Sequence, residues 1–387
     1  MNITSVYEEK NKCCGCSACA MACPKQCIKM QTDEEGFLYP QIDTKLCVNC
    51  SLCKKVCPVL KKSELENNPD CFIAFSKNQN IRENSSSGGM FTELAKNQIE
   101  QGALVYGAGF DENFGVVHKV ASSEKHLEEL RGSKYVQSRM DDKYREIKEK
   151  LDKGDFVYFS GTPCQVAGLY SYLGNRPEKL ITQDFICHGV PSPLVWKRYL
   201  NTFGNVEKVE FRNKKYGWHY FALHIKSDRK NYYKRLDEDF YLKLFLDNTI
   251  LRPICYDCPI KKQGSSADIT LADCWSLDYM TDMIKDTDEG LSLVIVNTLQ
   301  GKACMEALKE KESIFAVKVD SQKALSSQST LKKSAPCNSK RTLFFEQFEK
   351  RDFSTLMNEW FRISLKEKLR IKYVYLKTKI RFALKVK

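Results

Sequence analysis

CCGCSACAMACP at residues 13–24 and CVNCSLCKKVCP at 47–58 are two copies of one spacing. Cys13, Cys16, Cys19 and Cys23 before Pro24 read C-x2-C-x2-C-x3-C-P, and Cys47, Cys50, Cys53 and Cys57 before Pro58 repeat it. Three closely spaced thiolates can wrap three corners of a 4Fe-4S cubane, while the fourth, displaced by a tight proline turn, reaches the other cluster. The expected ligand sets are therefore crossed: Cys13, Cys16, Cys19 and Cys57 for one cluster, Cys47, Cys50, Cys53 and Cys23 for the other. A pair of zinc knuckles would use two cysteine pairs instead of a triple plus one. Cys14 and Cys27 fit neither run and read as bystanders.

Ten of the 18 cysteines in the 387 residues fall in this block. The N-terminal MNITSVYEEKNK has no basic region followed by an apolar core, so the chain is expected to stay in the cytoplasm, where metal explains so many thiols better than disulfides do. No apolar run approaches the roughly 18 residues of a membrane span. The formal charge of +12 is concentrated at the end: residues 361–387 hold ten Lys/Arg against Glu367, a local +9 that leaves +3 for the rest. That balance gives no basic groove for nucleic acid.

Beyond the polar stretch SELENNPD at 63–70, read as a linker, the chain changes character. CFIAFS, ALVYGAGF, FGVVHKV, DFVYFSG and LITQDFI read as short strands, and helical patterns fall at 89–101, 140–153, 163–173 and 192–203. Further strands are expected at 206–212, 219–226, 268–272 and 291–298, with a helix at 301–311, giving mixed α/β. Within this body Cys164 (GTPCQ), Cys187 (ICHGVPSP) and the pair Cys255 and Cys258 (CYDCPIK) form a second, scattered set able to hold a third 4Fe-4S cluster, with Cys274 (ADCW) as a rival ligand. SSSGGMF at 85–91 opens a helix and suits an anion; GSKYVQS at 132–138 and SGTPC at 160–164 add small, hydroxyl and cationic groups at strand ends. Together they read as a dinucleotide cradle, although neither G-x-G-x-x-G nor G-x-x-x-x-G-K-[ST] is present.

In that order these motifs, with D-I-T-x-x-D-x-W, resemble the beta-subunit family of coenzyme F420 hydrogenases and dehydrogenases over about residues 10–300. The resemblance implies an α+β, mixed α/β architecture: a two-cluster bacterial-type ferredoxin domain at 1–62, a linker at 63–70, a flavin-binding and inner-cluster domain at 71–330 and a basic extension at 331–387. It implies FAD contacts at Ser87, Gly88, Gly89, Ser133, Lys134, Tyr135, Gln137, Thr162 and Gln165, and matches Cys164, Cys187, Cys255 and Cys258 to the inner cluster. The implied activity is an iron–sulfur flavoprotein oxidoreductase that passes electrons between an external ferredoxin or similar partner and a two-electron substrate. Lys134, with Arg131 as a rival, is a candidate for stabilising reduced flavin or an acidic substrate, and His188 for relaying protons. Ala272 and Cys274 depart from the family pattern around the aspartate. Similar fusions accompany surface-polysaccharide genes in bacteria without the deazaflavin, so substrate identity does not follow from fold. A non-catalytic electron-transfer subunit or scaffold is the other reading. Leu365, Leu369, Tyr373, Leu376, Ile380 and Ala383 recur at helical spacing among lysines and arginines, which suits an anionic membrane face or docking on protein; the alternation in LRIKYVY also permits a strand.

Overall fold

In the computed structural model, which describes residues 5–61, 68–361 and 364–385, the duplicated cysteine runs fold as a duplicated local structure. Most of the expected linker, 63–67, lies outside the described residues. Each run turns through two left-handed residues into a one-turn helix. In the first, Gly15 (φ 71°) and Ser17 (φ 66°) precede Ala18–Met21. In the second, Asn49 (φ 54°) and Ser51 (φ 60°) precede Leu52–Lys55. Strands β1 (Ile28–Thr32) and β2 (Leu38–Ile42) pair antiparallel between the runs, Ile28 opposite Ile42.

The body is built on an eight-stranded mixed sheet. Its strands are β3 (Asp70–Ser76), β4 (Leu104–Phe110), β5 (Val116–Ala121), β6 (Val157–Ser160), β7 (Leu180–Phe185), β11 (Ile269–Asp273), β12 (Ser292–Val296) and β13 (Ile314–Val319), in the order β13-β3-β12-β11-β7-β6-β4-β5. The four central strands β4, β6, β7 and β11 run parallel, with antiparallel pairs at both flanks. A smaller antiparallel sheet holds β8 (Val206–Asn213), β9 (Ala222–Ser227) and β10 (Asn231–Arg235). Carboxyl ends of parallel strands are where open α/β sheets place ligands, because helix N-termini and loops converge there. Here that edge carries Ser160 leading to Cys164, Phe185 leading to Cys187, and Asp273, opposite Ser292.

Local chemistry fixes these boundaries. The helix Pro163–Leu173 begins at a Thr162/Gln165 capping box with Pro163 in its first turn, and stops at Gly174 (φ 79°). The segment read as an extension from 331 is integral to the body as far as Phe361. Helices Arg341–Lys350 and Phe353–Trp360 bury Phe344, Phe348 and Leu356 in the core that also holds Trp196, Phe211 and Tyr241. The last helix, Leu365–Lys385, settles the helix-or-strand alternative for the tail. No helix among the described residues is long and apolar enough to cross a membrane.

Candidate functional site

A cleft of about 340 Å³, counted with the solvent it opens to, is lined by Cys23, Cys47, Cys50 and Cys53, with Cys27 beside them. A second, of about 350 Å³, is lined by Cys13, Cys16, Cys19 and Cys57, with Cys14 alongside. In each wall the fourth cysteine comes from the other run. Among the described residues no three such side chains converge tightly enough for a single ion; a four-iron cubane, whose thiolates sit at separate corners, does not ask for that. Burial pushes up the thiols of Cys19, Cys53 and Cys57. Bare thiolates are therefore disfavoured here, and a cationic iron centre offsets that cost, so the donor set fits the group.

The second cleft faces the body and is held to it by residues that no motif announces. Arg252, with 0% exposure, donates from Nε to the Cys13 carbonyl (2.7 Å) and from Nη2 to the Leu38 carbonyl (2.9 Å). Its Nη1 reaches Gln137 Oε1 (3.0 Å), its Nη2 stands 3.6 Å from Cys13 Sγ, and its plane lies over Tyr39. Gln137 in turn donates to the Cys14 carbonyl (3.2 Å). A Cβ on Gly15 would collide with Gln137 and Arg252, so glycine is needed there, whereas the equivalent residue of the second run is Asn49. Arg145 caps the Ala18–Met21 turn through the carbonyls of Met21 and Ala20, and Arg341 forks onto Glu35.

Behind this contact lies the scattered set. Cys164 enters at the start of its helix, Cys187 follows β7, Cys255 lies within the turn Pro253–Asp257 and Cys258 directly follows it. Burial first, and then the neighbouring thiolates of Cys255, Cys164 and Cys258, push Cys187 well up; Cys255 is raised to about 12 by burial and by Cys164 and Cys258. The four thiols are thus close neighbours, each half-buried. Cys14, read as a bystander, touches Cys164 and Cys16 and stands between this pocket and the second cleft. Cys274 is elsewhere: it has 0% exposure, packs with Cys71, Trp218 and Leu291, and its charged neighbours are Asp286 and Asp273.

The residues implied for FAD are brought to one edge in part. Ser133 N donates to Ser86 Oγ (2.7 Å), joining the 85–91 and 132–138 loops. Ser87 Oγ donates to the Leu291 carbonyl and Gly88 N to Ser292 Oγ, and Gly89 (φ 91°) caps the helix Met90–Glu100. Thr162 and Gln165 serve the capping box, Gln137 serves Arg252, and Tyr135 stacks on Phe245. Lys134, half-buried and lowered to about 7 by desolvation, spends its ammonium on the carbonyls of Glu129, Leu130 and Arg131. His188 bonds Asn248 (2.6 Å), packs edge-on to Phe245, and is lowered by burial.

Free donors are found instead on Arg212. Its guanidinium is buried, pairs through Nη1 with Asp273 and lies over the rings of Phe221 and Trp275; among the described residues its Nε and Nη2 make no hydrogen bond of ordinary geometry, and neither does Ser85 Oγ in the glycine-rich loop. Tyr135 stands beside it, and Lys214, which holds the Ser87 carbonyl (2.7 Å), is close enough to be depressed by its charge after the larger effect of burial. Unpaired buried donors of this kind suit an oxyanion. Nothing in the spacing around Arg212 marked it; its signal is tertiary.

The two cysteine-lined clefts built from the duplicated runs define an iron–sulfur electron-transfer protein, and comparison with known proteins agrees. Residues 71–142 and 154–322 match the N-terminal and C-terminal parts of the family described as coenzyme F420 hydrogenase/dehydrogenase, beta subunit, and residues 12–60 match a 4Fe-4S dicluster domain. The chain belongs to that beta-subunit family and carries an N-terminal 4Fe-4S domain. An uncharacterized ferredoxin of Methanocaldococcus jannaschii is 38% identical over 53 residues, 14% of this chain and 68% of that protein. A chain of the F420-reducing NiFe hydrogenase complex from Methanosarcina barkeri, solved as a xenon derivative, is 19% identical at a TM-score of 0.47, covering 66% of this chain and 85% of that one.

Proposed function

We propose that the chain takes single electrons from a carrier protein at its iron–sulfur domain and delivers them in pairs, through FAD, to a substrate, or runs the reverse. The observation that carries this reading is the succession of three cysteine sets from the surface cleft, through the cleft keyed by Arg252, to the neighbouring, half-buried thiols of Cys164, Cys187, Cys255 and Cys258. The clusters would supply one-electron steps, and the flavin storage of two electrons and hydride transfer. Cys23, Cys47, Cys50 and Cys53, then Cys13, Cys16, Cys19 and Cys57, then Cys164, Cys187, Cys255 and Cys258 are the ligands in this reading.

The protein's own groups have definite tasks around them. Arg252 and Gln137 hold the Cys13 loop against the body, and Cys14 fills the gap to Cys164, keeping water out of the route. At the sheet edge Arg212 and Ser85 offer donors to an anionic part of the flavin or substrate, while Lys134 fixes the turn that carries Ser133. The C-terminal helix, whose stripe of Leu365, Leu369, Tyr373, Leu376 and Ile380 faces solvent, suits the surface of an anionic membrane; the side chain of Ala383 lies outside the described residues.

A second reading, a non-catalytic electron-transfer subunit, is favoured by the protein partners already held by Gln137, Thr162, Gln165 and Lys134. Anaerobic purification with iron, sulfide and flavin quantified together separates the two. The oxidoreductase reading expects bound FAD, and Arg212→Gln should lower flavin retention by roughly 10–100-fold, the worth of a charged hydrogen bond, without loss of iron. Full iron with no flavin would leave the electron-transfer subunit.

A further inference from the structure

The two cysteine-lined clefts differ in what surrounds them. The cleft of Cys13, Cys16, Cys19 and Cys57 is covered by Arg252, Gln137 and the helix that starts at Pro163; Gly168 of that helix packs its backbone against Cys16. Among the described residues nothing comparable covers the other cleft. Cys50 is an exposed cysteine, and Leu46 (56% exposed), Val48 (56%) and Leu52 (37%) stand open around it. Val48, Leu52 and Lys25 line the cleft itself. Contiguous exposed apolar side chains on a soluble body mark contact sites.

The charge around this patch is mainly positive. Lys25, Lys29, Lys45, Lys54 and Lys55 are all exposed, and from Gly36 to Lys61 the sequence holds a single carboxylate, Asp43. Lys10, by contrast, is held by Asp33 and Glu34. A small apolar centre ringed by unscreened cations fits a protein whose own contact face is acidic: charge steers the encounter, and the apolar centre excludes water where the electron crosses.

Resting on the reading above, we propose that the Cys50 face is the docking surface for an acidic one-electron carrier protein and the only route by which that carrier exchanges electrons with the chain. In each encounter one electron leaves the reduced carrier, which is oxidised, and reduces the site held by Cys23, Cys47, Cys50 and Cys53; no bond or proton changes place. The site of Cys13 and Cys57 is then charged from within the chain.

The test uses the full chain, loaded anaerobically, and an acidic ferredoxin reduced beforehand as the probe. Mixing kinetics are compared for wild type, for Lys45→Glu/Lys54→Glu/Lys55→Glu, and for Lys366→Glu/Lys368→Glu/Lys372→Glu on the exposed C-terminal helix as a matched charge control. The first variant should be reduced by the ferredoxin at least tenfold more slowly at low salt, while dithionite reduces all three equally. The wild-type rate with ferredoxin should fall as salt rises. Equal slowing in both variants, no slowing in either, or a rate that rises with salt overturns the docking face while leaving the oxidoreductase reading standing. Slowing with dithionite as well would show damage to the site itself, and also overturns the claim; Val48→Ser, which keeps the charge, should still slow the ferredoxin reaction alone. A chain that binds no iron would remove the reading and this surface together.

Discussion

Arg252→Met removes the group that locks the iron–sulfur domain to the sheet. Three acceptors lose their donor: the carbonyls of Cys13 (2.7 Å) and Leu38 (2.9 Å) and Gln137 Oε1 (3.0 Å). Water does not reach a side chain with 0% exposure, so each orphan costs about 1–3 kcal/mol. Methionine recovers part of the lost packing over Tyr39, and the net loss should be about 3–5 kcal/mol, typical of a broken buried charge network. Arg252→Lys keeps the charge, but one ammonium cannot span donors aimed at three acceptors, and about half that loss is expected. The assay is anaerobic urea unfolding of the loaded protein, followed in parallel by cluster absorbance and far-ultraviolet circular dichroism. At an m-value of about 2–3 kcal/mol/M the Met variant should shift its midpoint down by about 1–2 M, and its cluster signal should be lost before the secondary structure of the body. A midpoint within error of wild type, with the two signals still coincident, would refute the claim that this residue fastens the domains.

Cys57→Ser should deplete the site it shares with Cys13, Cys16 and Cys19 and spare the site of Cys47, Cys50 and Cys53, as read by iron content and electron paramagnetic resonance; the opposite loss would mean uncrossed ligation. Asp184, hydrogen-bonded by Thr270 and Ser265, is raised by burial from 3.8 to about 7. A carboxyl raised on folding contributes stability that is complete below about pH 3.8 and is lost as pH climbs through about 7, so Asp184→Asn should stabilise the protein by a few kcal/mol at pH 8 and by nothing near pH 4. Equal denaturation midpoints at pH 8 would count against that burial cost. Full-length chain should cosediment with anionic vesicles at low salt and be released at high salt, and a chain ending at Trp360 should not; equal behaviour of the two would reduce the helix Leu365–Lys385 to a docking element, consistent with the Lys379–Asp288 ion pair and the Tyr375–Arg235 contact it makes.

What the sequence determined by itself is what depends on neighbours a few residues apart. The cysteine runs were legible because cubane ligation is a short-range spacing rule, and the helix Pro163–Leu173 because its proline, capping box and terminal glycine are all local. Short runs rich in β-branched and aromatic residues likewise marked β3 to β7, since those side chains favour the pleated strand locally. The strand order, and with it the approach of Cys164, Cys187, Cys255 and Cys258 to one another, was decided only in three dimensions. Cys274 shows why: its motif context resembles a ligand's, and only its packing with Trp218 and Leu291 removes it from the metal sites. Lys134 looked available from its place in GSKYVQS, yet its ammonium closes on the turn behind it. Arg252, Arg212 and Arg341 had no local signal at all, because each acts on partners tens to hundreds of residues away, and the same holds for Phe344, Phe348 and Leu356, whose basic neighbourhood suggested a tail. A guanidinium's function here lies in which carbonyls and carboxylates the fold carries to it, and that information is spread over the whole chain instead of being written beside the residue.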